Sequence, residues 1–322
     1  MKSYSFLQTF RRIKLLYLLF NLFSYHRLKY QRAVYRKYGL KKHYYSPLSS
    51  EDFNVPTVEE MPWLDQGDSS VLLPQQPQFQ ELSKTTQSAI INWSRDGYAI
   101  LRGFFSAEQL SMINDEVERL IREKRLPVKD QRKMMFAVKY SALLNQTINQ
   151  AELLRALELL MGRPIELFQS ANFLVGTQER AHSDFIHMTT YPYGYLLGVW
   201  VALEDIDSDN GPLFYYPGSH KLDYLMNGNY NHGGNRWCLG RDAKSNYNEA
   251  VEKLIEQNNL QKTYFHAAKG DVLIWHANML HGGSKINDPG RTRKSMVMHY
   301  YGSDVIRYHE ITQRPTLQHR FR

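Results

Sequence analysis

Gly270-Asp271-Val272-Leu273-Ile274-Trp275-His276-Ala277-Asn278-Met279-Leu280-His281-Gly282-Gly283 decides how the rest of the chain is read. A Gly-Asp turn opens it, a continuous apolar run follows, and a histidine stands just before a glycine pair. A short apolar run between turn residues reads as a strand buried on both faces. About a hundred residues upstream, Ala181-His182-Ser183-Asp184-Phe185 contains an H-x-D triplet. Residues two apart on a strand share a face, so His182 and Asp184 can reach one metal together. With His281 they make two imidazoles and one carboxylate. That facial set, with other positions left open, suits non-haem Fe(II) in an oxygenase.

Working outward, the region from Ile165 alternates short apolar strands with Gly, Asn, Asp and Pro turns. Strands are expected near 165–175, 181–188, 195–204, 213–216, 262–267, 271–276 and 294–301. Many short strands with polar turns point to an antiparallel sandwich or barrel rather than a parallel α/β sheet. Upstream, Ser106 with Gln109 forms a capping box, and Leu110, Ile113, Val117, Leu120 and Ile121 recur at helical spacing. A second helix is expected from about Gln150 to Met161, stopped by Gly162. Twelve residues past His281 stands Arg293-Lys294-Ser295. Strand parity puts Arg293 and Ser295 on one face, where guanidinium and hydroxyl grip one carboxylate. Arg291 has the same parity but precedes the strand, and is the second choice for that clamp. His187 has the opposite parity to His182 and is expected to face away from the metal. His220 reads as a residue that fixes its loop, and His266 and His276 as packed or surface residues.

These pieces recur together in a known family. From Trp93 to Tyr301 the chain resembles the phytanoyl-CoA dioxygenase family of Fe(II)/2-oxoglutarate oxygenases. The matching segments are Asp96-Gly97-Tyr98 with Arg102-Gly103-Phe104, His182-Ser183-Asp184, Gly198-Val199-Trp200-Val201-Ala202-Leu203, Asp209-Asn210-Gly211-Pro212-Leu213, Pro217-Gly218-Ser219-His220-Lys221, Gly270-Asp271, His281-Gly282 and Arg293-Lys294-Ser295. The resemblance implies a mainly β fold with flanking helices around a double-stranded β-helix (a jelly-roll, cupin-like core). It implies His182, Asp184 and His281 on Fe(II), Arg293 on the distal carboxylate of 2-oxoglutarate, and Trp200 lining the cosubstrate pocket. Many members carry Gln where this chain has Ser183. Related halogenases replace the metal carboxylate by a small residue, so Asp184 implies hydroxylation. A catalytically silent β-helix kept for membrane or partner binding is the alternative; it is expected to lose a ligand or the arginine, and all four residues are present. The expected substrate is a small molecule or a lipid- or glycan-linked group.

Charge divides the chain in two. The formal charge is +8, yet residues 1–50 hold eleven of the 40 Lys and Arg and no acid precedes Glu51. The remainder is slightly acidic, which argues against a nucleic-acid surface on the body. One cysteine, Cys238, excludes a disulfide framework and fits a reducing, cytoplasmic compartment. The apolar run Leu15–Phe23 is shorter than the roughly 20 residues a bilayer span needs, and no small-residue cleavage site follows it. Residues 1–42 are instead expected to lie on an anionic membrane surface, at its inner face, the alternative being a basic helix docked on its own domain or a frayed terminus. The domain reading is therefore a basic amphipathic segment over 1–45, an extended connector over 46–88, and the oxygenase domain over 89–322 with an insertion at 222–260.

Overall fold

The computed structural model describes residues 12–130, 132–235 and 237–318. Helices α1 (Lys14–Phe23), α2 (Lys84–Ile90), α3 (Ala107–Arg122), α4 (Ala142–Ile148), α5 (Ala151–Met161) and α6 (Ala243–Gln257) flank a set of antiparallel strands. The strands are β1 (Tyr98–Leu101), β2 (Val128–Lys129), β3 (Lys133–Met135), β4 (Ile165–Phe173), β5 (Thr189–Tyr191), β6 (Leu196–Ala202), β7 (Leu213–Tyr215), β8 (Thr263–Phe265), β9 (Val272–His276), β10 (His281–Gly283), β11 (Ser295–Gly302), β12 (Ile306–His309) and β13 (Arg314–Pro315). One sheet runs in the order β1-β9-β6-β11-β4-β3-β2, a second β10-β7-β8, and a third β13-β12-β5. The first two close face to face into a double-stranded β-helix, the antiparallel barrel expected from the strand pattern and the jelly-roll that the family resemblance implies.

Alternation along the strands explains why the core has two compartments. In β6, Leu197, Val199 and Val201 point out and pack under the helices with Ile274, Met296 and Met298. Trp200 and Ala202 point in and meet Leu273 and Trp275 of the large sheet and Tyr215 and Phe265 of the small one. The helices bury matching faces. In α3 those are Leu110, Ile113, Val117 and Leu120, and its first turn is closed by the Ser106/Gln109 capping box. Helix α5 ends at Gly162, whose φ of 67° is the left-handed stop that glycine adopts freely. Truncating one such buried leucine to alanine costs about 2–5 kcal/mol.

Two expectations differ from the structure. Residues 181–188 do not form a strand. His182 alone pairs across to His281, and the chain then turns through a 3-10 helix, Asp184–Ile186. Four successive buried residues, Ser183 to Ile186, cannot alternate in and out, so the backbone coils instead. Residues 46–88 are not an extended connector either. They fold into short helices, and Leu64, Leu73, Phe79 and Leu82 enter the main core. Their apolar side chains are spaced by Pro, Gln and Ser, which hides the helical period in the sequence. The 222–260 insertion is a loop followed by α6, whose Tyr247 and Val251 are buried.

Candidate active site

His182 and His281 sit opposite each other across an isolated antiparallel bridge. Each donates its backbone N–H to the other's carbonyl, at 3.0 and 2.9 Å. Directly opposed residues project side chains to the same face, and the two imidazoles stand 4.6 Å apart between centroids. Each ring is fixed from behind. His182 Nδ1 lies 2.8 Å from the Arg180 carbonyl and His281 Nδ1 lies 3.0 Å from the Met279 carbonyl. An Nδ1–H committed to a carbonyl leaves Nε2 as the lone-pair nitrogen, the form a metal ligand needs. Asp184, delivered by the 3-10 turn, completes the group. Its Oδ1 is 3.8 Å from His182 Nε2 and its Oδ2 is 3.7 Å from His281 Nε2. One ligand atom from each of the three residues falls within 4.8 Å of the others.

Asp184 is held by residues that sequence reasoning did not single out for the site. Trp275 Nε1 donates to Oδ2 at 2.8 Å, and His299 Nε2 lies 3.1 Å from the same oxygen. Burial alone would push this carboxyl up; the imidazoles of His299, His281 and His182 outweigh it and hold it below the usual carboxylate range. Burial pushes His281 down to about 4, which keeps its imidazole neutral near pH 7. Trp275 reaches Asp184 because Gly198 lies beneath it: a Cβ there would sit 2.1 Å from the indole. Tyr247 of α6 accepts a hydrogen bond from Ser183 N at 3.1 Å, tying the insertion to the backbone between two candidate ligands. Strand parity held the signal for His299, since it shares the inward face of β11 with Ser295.

Arg293 lies at the far end of that face. It is 2% exposed, Nη1 donates to the Gly211 carbonyl at 2.6 Å, and Nε has no partner. Gly211 belongs to the Asp209–Leu213 segment, which Asn210 pins through the Asp205 and Thr292 carbonyls. The backbone at Gly176 closes on the guanidinium, so that a Cβ would meet it at 3.0 Å. Among the described residues no carboxylate pairs with this cation; burial lowers its pKa to about 10, still protonated near neutrality. Ser295 Oγ is also buried without a partner. Trp200 faces the same interior, opposite Val297 and against Phe265. A fully buried arginine and hydroxyl with free donors fit a small dicarboxylate.

The remaining candidates do not join this group, although the ring of His187 lies 6.1 Å from that of His182. Arg291 Nη1 pairs with Asp207 at 2.8 Å on the surface. His187 packs against His309, with ring centroids 5.1 Å apart, and supplies no member of the converging group. His220 is buried under Gly97 and bonds the Ser94 carbonyl. Asp271, of the Gly-Asp turn, clamps Arg102 and accepts from Gly103 N, joining two of the quoted segments.

The profile of the phytanoyl-CoA dioxygenase family matches residues 93–295. The chain belongs to this family of Fe(II)/2-oxoglutarate-dependent oxygenases. It is 24% identical over 228 residues to the ectoine dioxygenase of Bordetella bronchiseptica, covering 62% of this chain and 70% of that one. The ectoine dioxygenase of Halomonas elongata is 23% identical over 249 residues, 71% and 73% of the two chains. Among solved structures, EctD from S. alaskensis with bound Fe superposes with a TM-score of 0.53 and 21% identity, over 69% of this chain and 77% of that one. The carbocyclase SnoK from nogalamycin biosynthesis gives 0.58 and 16%, over 76% and 96%. These structural likenesses establish the jelly-roll fold of this member of the family.

Proposed function

We propose that the protein is an Fe(II)- and 2-oxoglutarate-dependent dioxygenase that hydroxylates a small molecule. In this reading His182, Asp184 and His281 hold the metal, Arg293 and Ser295 hold the distal carboxylate of 2-oxoglutarate, and Trp200 walls the pocket. One observation carries it: a converging His/Asp/His donor set shares its β-barrel with a buried, carboxylate-free arginine. Bound iron and 2-oxoglutarate supply the oxidising chemistry, in which R–H, O2 and 2-oxoglutarate give R–OH, succinate and CO2.

The chain's own residues do the rest. Asp184 stays anionic and cannot swing away, because Trp275 and His299 both hold Oδ2. The Arg180 and Met279 carbonyls set the tautomers of the two imidazoles. Arg293 presents unused donors in a dry interior, where a charge-assisted pair with a carboxylate is strong. Trp200, Val297 and Phe265 keep that end of the pocket apolar and exclude water.

The ectoine dioxygenases and the carbocyclase of nogalamycin biosynthesis act on small molecules, and the same class of substrate is proposed here. A lipid- or glycan-linked substrate, met at the cytoplasmic face of a membrane through residues 1–42, is the finer form of the reading; the exposed apolar side of α1 supports it. No helix of the described residues is long and apolar enough to cross a membrane. The test is succinate formation by the purified protein given Fe(II), ascorbate and 2-oxoglutarate. Succinate is expected from the unmodified chain and not from His281→Ala. Equal turnover by the two contradicts the assignment.

A further inference from the structure

Helix α1 is inside out. A surface helix ordinarily buries its apolar stripe and shows polar residues to water. Here the buried positions are Tyr17 and Asn21, and the exposed ones are Leu15, Leu16, Leu19, Phe20, Leu22 and Phe23. Phe23 is 86% exposed. At about 100° per residue these six fall on one unbroken arc of roughly 160°. The opposite side is anchored by polar contacts. Asn21 Nδ2 donates to the Tyr45 carbonyl at 2.8 Å, and the Arg314 guanidinium lies 3.7 Å over the Tyr17 ring. The helix is therefore fixed on the body with its leucines outward, and an apolar patch of that kind marks a contact surface.

Two further features adjoin the ends of this helix. The strand-like start of the helix is bonded to the insertion: Ile13 bridges Cys238, and Lys14 N donates to the Trp237 carbonyl at 2.9 Å. That places Trp237, 66% exposed, beside the helix start, while Tyr25, 53% exposed, follows its end. Exposed Lys29, Arg32 and Arg36 come next, in a stretch with eleven Lys and Arg and no acid before Glu51.

We infer that the outward face of α1, with Trp237 and Tyr25 at its two ends, docks into the interface of an anionic lipid bilayer. Leucine and phenylalanine enter the acyl boundary, the tryptophan and tyrosine sit at headgroup depth, and the cations meet acidic headgroups. A second copy is the poorer occupant, since pairing two such faces brings together two segments rich in Lys and Arg, of which Lys37 and Lys42 meet acids of their own chain, Asp304 and Asp52. An acidic bilayer neutralises them. The inference deepens the membrane part of the proposed function and is independent of the catalytic part.

Co-sedimentation of the full chain with phosphatidylcholine vesicles, with and without phosphatidylglycerol, at low and high salt, tests it. The unmodified chain is expected to partition at least about tenfold more onto the acidic vesicles, and to lose this preference in high salt. The double variant Leu19→Glu/Phe23→Glu is expected to lose about tenfold or more of that binding, with its melting temperature little changed because neither side chain is buried in the core. A variant that binds as well as the unmodified chain overturns this face while leaving the membrane reading standing. An unmodified chain that ignores acidic vesicles overturns both. So does sedimentation of the lipid-free chain as a dimer that the double variant dissociates, which gives the face to a second copy. Succinate formation, measured separately, is unaffected by any of these outcomes.

Discussion

Among the described residues two His/His/Asp groups stand out, and only one of them converges as a set that could hold a metal. In the first, both Nδ1 atoms are tied to carbonyls and both Nε2 atoms turn toward Asp184. In the second, His276 Nε2 faces Asp65 at 3.3 Å, but His276 Nδ1 accepts from Asn278 N and His220 Nε2 is spent on the Ser94 carbonyl. Its lone pairs point at protein rather than at a shared centre. A cleft of about 1250 Å3, lined in part by Asp65, Ser94, Arg95, His220 and Tyr224, opens beside this second group. Residue type and a nearby hollow are thus common to both groups or favour the wrong one. The groups behind the rings separate them, because they choose which nitrogen is available.

The comparison breaks most sharply under alanine substitution. Asp184→Ala and His281→Ala should remove bound iron and lower succinate formation by about three orders of magnitude or more. His276→Ala should keep its iron and instead cost about 1–3 kcal/mol of stability through a lost buried contact. Metal content and thermal melts on the same preparations decide it, and iron lost from His276→Ala would make the two groups equivalent. The cosubstrate end comes next. Arg293→Lys keeps the charge without the fork and should raise the apparent KM for 2-oxoglutarate about 30- to 100-fold. Arg291→Lys, a surface pair with Asp207, should change it by no more than about twofold; the reverse order moves the clamp.

A smaller effect tests the shell itself. Trp275→Phe removes the indole N–H from Asp184 and should weaken iron binding about tenfold, which a competitive chelator titration measures. The least effect belongs to the second group. Burial, then His276, holds the His220 pKa down at about 3, from an ordinary 6.5. The unfolded chain takes up a proton below pH 6.5 that the folded chain refuses until about pH 3. Stability from this residue is complete above pH 6.5 and drains away as pH falls, so His220→Gln should flatten the acid side of the melting profile. An unchanged slope sets the residue aside.

Much of this was legible without coordinates. The H-x-D triplet, His281 and the Arg293/Ser295 pair were picked out from residue pattern and family resemblance, and the structure brings His182, Asp184 and His281 together; their roles belong to the proposed function. The route to Asp184 was not legible. The sequence suggested a strand through 181–188, whereas the chain makes one bridge at His182 and coils, since Ser183 to Ile186 are all buried. Nor were the holders of Asp184 expected. Trp275 reads as one more apolar residue in a core strand, and its N–H matters only because Gly198 leaves room for the ring. Tyr247 comes from a helix 64 residues downstream of Ser183, a contact no local pattern announces. The segment 46–88 misled through composition: Pro and Gln suggested a linker, while single apolar residues between them fill the helical side of the core.

A crystal of the protein grown without oxygen, with Fe(II) and 2-oxoglutarate, tests the account most directly through anomalous scattering at the iron edge. The expected map has one iron peak about 2.0–2.2 Å from His182 Nε2, His281 Nε2 and an Asp184 oxygen, with the distal carboxylate of 2-oxoglutarate on Arg293 and Ser295. Iron beside His276 and Asp65, or a cosubstrate carboxylate on any other cation, would contradict it.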